Sequence, residues 1–121
     1  MRREMLVGPR GIRFEAEVPL TRLERKRGLL GRPRLPPGEA LLLEGTRSVH
    51  TFGMCFPITV AFLDDDLRVV RMARMCPGRL ALPRPGARHA LELCDGTDIR
   101  VGDRLVRDGR REEDPAAEGL G

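Results

Sequence analysis

Ile58-Thr-Val-Ala-Phe-Leu63, Asp64-Asp-Asp66 and Leu67-Arg-Val-Val-Arg-Met72 run on without a break, two apolar, β-branched segments around three short acidic side chains. Each segment has the length of a strand rather than a helix, and aspartate tolerates the backbone geometry of a tight turn. The stretch therefore predicts an antiparallel hairpin. Both faces of Ile58–Leu63 are largely apolar, which predicts a central strand covered on two sides, one of them by an early helix.

Upstream, Ile12-Arg-Phe-Glu-Ala-Glu-Val18 puts Ile12, Phe14, Ala16 and Val18 on one face and its charges on the other, the pattern of a half-buried strand. Thr21 and Glu24 stand three apart, so each side chain can satisfy a backbone N–H at a helix start. This predicts a helix over 22–30, stopped by Gly31 and Pro33. Ala40–Glu44 and Val49–Phe52 read as short strands, the second interrupted by Gly53. Downstream, the breakers Pro77, Gly78, Pro83, Pro85 and Gly86 make Met75–Ala87 the longest irregular stretch inside the domain. Arg88–Cys94 and Ile99–Val106 return to strand pattern, the latter with a bend at Gly102-Asp103. The expected architecture is α+β and mainly β: a twisted antiparallel sheet curling into a small barrel, packed by one short helix. One globular domain is placed at residues 12–107, preceded by a segment over 1–11 and followed by a polar tail, 108–121, expected to be disordered.

With 121 residues, one core is expected, and a chain of this size needs neither metal nor disulfide to fold. Four Phe and no Trp or Tyr leave few flat surfaces for stacking bases or sugars. The net charge of +4 arises in the N-terminal third, where residues 1–34 carry ten Arg/Lys against four Glu. No apolar run of the roughly 18 residues needed to span a bilayer occurs, and the basic start lacks an apolar h-region. Three cysteines, Cys55, Cys76 and Cys94, form an odd set without CxxC spacing. Together these predict a cytoplasmic protein in a reducing compartment.

The string Ser48-Val-His-Thr-Phe-Gly-Met-Cys-Phe-Pro-Ile-Thr-Val-Ala-Phe-Leu-Asp64, followed by Leu67-Arg-Val-Val70, resembles the central signature of the domain-of-unknown-function family DUF192. That family's early Thr…Glu-Arg…Gly-Leu pattern is matched by Thr21, Glu24, Arg25, Gly28 and Leu29. Its late Leu-Glu-Leu…Gly-Asp pattern is matched by Leu91, Glu92, Leu93, Gly102 and Asp103. The resemblance implies a compact, β-dominated α+β domain, brings no activity or cofactor, and suggests a protein partner because relatives are encoded beside pilus or secretion components. Relatives commonly carry a basic residue where Cys55 stands and an aspartate where Thr59 stands, so this chain departs from the pattern at both.

The leading candidate for ligand binding is His50, Thr51, Phe52, Gly53 and Met54: a titratable imidazole and a hydroxyl precede a glycine that lets the backbone approach another group. The structural reading of the same residues is a bend at Gly53 and a satisfied histidine at a strand end. The expected function is a non-enzymatic module binding an unknown protein or small molecule, its cleft near His50–Met54 and rimmed by Met75–Ala87. One alternative is a small enzyme pairing His50 with a cysteine; no catalytic string supports it, and each cysteine is expected to pack in the interior. A second is a phosphate-backbone or anionic-surface binder using Arg22, Arg25, Lys26, Arg27, Arg32 and Arg34, although no nucleic-acid motif accompanies the charge. No cofactor is implied. His50, Cys55, Cys76, His89 and Cys94 match no zinc spacing, and Asp64–Asp66 reads as a solvated turn rather than a calcium loop. Glu92, between Leu91 and Leu93, is expected to face solvent or pair with an arginine. The oligomeric state is not legible.

Overall fold

The Ile58–Leu63 strand lies inside the sheet, hydrogen-bonded on both edges and buried at every residue, in a computed structural model that describes residues 2–108. In chain order the elements are β1 (Arg2–Val7), β2 (Arg13–Val18), α1 (Arg22–Arg27), β3 (Glu39–Leu43), β4 (Val49–His50), β5 (Ile58–Leu63), β6 (Val69–Met75), β7 (Leu80–Ala81), β8 (His89–Cys94) and β9 (Val106–Arg107). Seven strands form one sheet in the order β6-β5-β8-β3-β2-β1-β9, and β4 and β7 pair separately. The β5–β6 hairpin is antiparallel as expected, with a register shift between Phe62 and Leu63. Asp64 Oδ1 fixes its turn by accepting the N–H groups of Asp66 and Arg68, both at 2.9 Å.

The sheet is not wholly antiparallel: β2 and β3 run parallel, in register from Glu15/Glu39 to Glu17/Leu41. Parallel neighbours need a crossover connection, and the chain from Pro19 to Gly38, with α1 in it, provides one. Alternation along the strands then divides the apolar residues between two layers. Leu6, Phe14, Ala16, Val18, Leu42, Ala61, Leu63, Leu91, Leu93 and Leu105 pack on one face. Leu41, Leu43, Ile58, Val60, Phe62 and Ala90 face the other way, against Leu29, Leu35, Val49, Met54 and Ala81.

The curled sheet is tied across its ends by the segment 102–107. Gly102 N–H donates to Val69 O, Val69 N–H to Asp103 O and Leu105 N–H to Leu67 O, while β9 pairs with β1 on the opposite side. The strand expected over 99–106 thus shortens to β9 and a bridge at Arg104, because Asp103 folds the preceding residues into a turn: its carboxylate accepts Arg100 N–H at 2.8 Å. That carboxylate also receives both forks of the Arg10 guanidinium, at 3.1 and 2.7 Å, and these contacts hold Asp103 below the usual carboxylate range.

The helix differs from expectation. The Thr21/Glu24 capping box forms, with Thr21 Oγ1 accepting Glu24 N–H and Glu24 Oε1 accepting Thr21 N–H, both at 3.0 Å. But α1 has only six residues and none is buried, so it does not pack across the sheet. Gly28, at φ 43°, ends it before Gly31 is reached, and Leu29 beyond the cap supplies the buried contact instead. The sheet also begins at Arg2, ahead of residue 12, since β1 pairs with β2 along its whole length. Beyond Asp108, the expected tail lies outside the described residues.

Candidate functional site

The segment His50–Met54 is divided by its strand end. Thr51 is fully buried: its hydroxyl donates to Cys76 O at 2.6 Å and accepts Arg79 N–H at 2.8 Å. Phe52 is half exposed and stacks on His50, ring centroids 5.3 Å apart. Gly53 turns the chain at φ 81°, and a Cβ there would stand 3.2 Å from Leu30 Cδ2. His50 is exposed, with Nδ1 accepting the Phe52 N–H at 3.3 Å, and Met54 is buried. Of the five residues, His50 and Met54 line one cleft together.

That cleft holds about 190 Å³ and opens between β3–β4 and the end of α1. Leu29, Leu30, Leu43, Val49 and Met54 give it apolar walls; Arg25, Lys26 and His50 stand at its exposed lip. No lining residue comes from Met75–Ala87, so the expected rim is not there. That stretch instead contributes β7, whose pairing with β4 consumes it structurally.

The base of the cleft is Glu92. It occupies the middle of β8 with its side chain on the same face as Ala90, it is 5% exposed, and among the described residues its carboxyl makes no hydrogen bond. Burial pushes it up to about 7, against a smaller opposing pull from Arg32, whose guanidinium is bound to Glu17 at 2.8 Å. This corrects the expectation that Glu92 faces solvent or pairs with an arginine. Alternation with Leu91 and Leu93 does put it on the other face, but that face is covered by the second apolar layer. The available signal was its neighbour: a strand pairing with the doubly apolar Ile58–Leu63 run is itself covered on both sides.

The other candidates separate. His89 acts as a latch, Nδ1 accepting Gly45 N–H at 2.9 Å and Nε2 lying 3.4 Å from Asp65 Oδ1. Cys55 is exposed and Cys76 and Cys94 are half-buried, not interior as expected; Cys55 sits in a turn and Cys94 ends its strand. Arg74 donates to Cys76 Sγ at 3.2 Å and forks onto Asp95. Among the described residues, no three of His, Cys, Asp and Glu converge to hold a metal ion. None of the helices there is long and apolar enough to cross a membrane.

The model of the family DUF192, described as an uncharacterised ACR, matches residues 5–106. The chain belongs to DUF192. A curated relative, a UPF0127 protein of Thermococcus sibiricus, is 32% identical over 93 residues, which cover 70% of this chain and 60% of the relative. The chain thus spans 60% of the length of that relative. Two solved structures share the DUF192 chain's fold at 23% identity each. One, from Sinorhizobium meliloti 1021 and provisionally assigned as a transcription regulator, has a TM-score of 0.75 with 90% of this chain and 95% of that one covered. The other, a protein of unknown function from Novosphingobium aromaticivorans DSM 12444, has a TM-score of 0.72 with coverage of 86% and 83%. Within DUF192 the Leu-Glu-Leu string acquires a physical reading in this chain: its leucines fill one layer and its glutamate floors the cleft.

Proposed function

We propose that this chain is a non-enzymatic binding module that seats a small ligand, or the tip of a protein partner, in the cleft floored by Glu92. The observation that carries the reading is a carboxyl buried in an apolar layer, without a hydrogen-bond partner among the described residues, lining an open cleft. The protein supplies that carboxyl with no donor of its own among the described residues, and a ligand bearing one would provide the missing hydrogen bond. The structural hydrogen bonds of Thr51, His89 and Asp103 leave those residues out of the role.

A fragment screen followed by amide and methyl NMR shifts tests it. Shifts are expected to cluster on Leu29, Leu43, Val49 and Met54, and Leu30→Trp, which crowds the mouth, is expected to abolish them. Hits that map elsewhere and survive Leu30→Trp would reject the cleft as the site. A second reading keeps the anionic-surface binder, because Arg22, Arg25, Lys26 and Arg27 are exposed on α1 and their side chains have no partner among the described residues. It predicts salt-sensitive association with acidic vesicles or nucleic acid, lost when these four are changed to serine.

A further inference from the structure

Resting on the cleft reading above, we infer that the ligand is a linear zwitterion: a cationic N–H group on Glu92 at the base, an apolar chain along the walls, and a carboxylate at Arg25 and Lys26 on the lip. Three properties of the cleft select this class. The base offers one acceptor group, the Glu92 carboxyl, and no donor side chain is bonded to it among the described residues. Once ionised, the carboxyl repels an anion, and an apolar terminus would remove its remaining water without replacing it. A metal ion would need further ligands, and no such cluster exists among the described residues. A cationic N–H donor satisfies the carboxyl and favours its ionised form.

The lip has the opposite chemistry. Arg25 and Lys26 are exposed, and their side chains engage no acidic partner among the described residues, while Arg32, the cation that acts on Glu92, is occupied by Glu17. His50 adds a donor: with Nδ1 accepting from Phe52, the imidazole proton resides on Nε2. Leu29, Leu30, Leu43, Val49 and Met54 line the cleft and suit methylenes, and Thr46 and Ser48 add two hydroxyls to the lining. An α-amino acid carries its two charges on one carbon, so a separated pair of charges fits this arrangement better. The termini of a short apolar peptide belong to the same class.

The test compares ε-aminocaproate with caproate and hexylamine, which lack the ammonium and the carboxylate respectively, by calorimetric titration near neutral pH. ε-Aminocaproate is expected to bind at least about tenfold more tightly than either, a difference of about 1.4 kcal/mol. Glu92→Gln should bring it level with caproate, and Arg25→Ser with Lys26→Ser should bring it level with hexylamine. Both lip positions are exposed, so the fold is retained there; thermal melting checks the Gln variant. Equal binding of all three probes, or binding by none, overturns the zwitterion. Fragment shifts that still map to the cleft in either case leave the module reading standing, and the two failures are told apart.

Discussion

Glu92 carries a charge only at the expense of stability. Its folded value near 7 exceeds the ordinary 4.5, so between these values the folded chain holds a proton that the unfolded chain has released. Stability from this group is therefore fully present below about 4.5 and is lost as pH rises through about 7, by about 3 kcal/mol in all. Glutamine has nearly the same shape and no proton to lose. Urea unfolding of Glu92→Gln and the wild type is expected to give similar midpoints near pH ~4.5, with the variant ahead by roughly 1–3 kcal/mol near pH ~8. A constant difference across that range would mean that the carboxyl is solvated. At this scale the sequence was least legible: His50 and Met54 were named from their residue types and line the cleft, whereas the places of Glu92, Arg25 and Lys26 on it depend on which layer covers which face.

The elements most exposed to that layering are the shortest. β4 has two residues, and what holds it is Thr51, whose hydroxyl and main chain bond Cys76, Gly78 and Arg79 on the loop that leads to β7. Thr51→Val keeps the volume and removes the hydroxyl, leaving Cys76 O and Arg79 N–H without it. Thermal unfolding is expected to show a loss of about 1–3 kcal/mol, and amide exchange should accelerate in β4 and β7 before it does in β5. Uniform exchange would show that the small sheet is held by its apolar contacts alone. The long strands were legible because Ile58–Leu63 and Arg13–Val18 announce burial by composition and alternation. The short helix and the parallel β2–β3 pair were not. A capping box shows where a helix begins and not what it covers, and strand direction depends on a connection that has no periodicity.

Across the whole molecule, the sheet's ends meet through one segment. Leu105 lies in that segment, is 1% exposed and joins Leu6, Leu67 and Leu63 in the same layer, so Leu105→Ala opens a cavity where the sheet is tied. A loss of roughly 2–4 kcal/mol is expected from denaturant unfolding, larger than for an exposed leucine such as Leu82. An equal effect at both positions would show that the tie carries little of the fold. The curl was legible in the number of strands, but the tie was not, because a two-residue strand and a turn at Asp103 leave no alternation to read.

That tie also sets a timetable for synthesis. β1 is made before the other described strands, yet its partner Val106 comes almost at the end of the described residues, and Val69 waits equally for Asp103. Until those residues are out, both margins of a nascent sheet expose unpaired N–H and C=O groups to other chains in the cell. The molecule is therefore most vulnerable to aggregation in the interval before residues 102–107 arrive, and slow translation there would lengthen the risk.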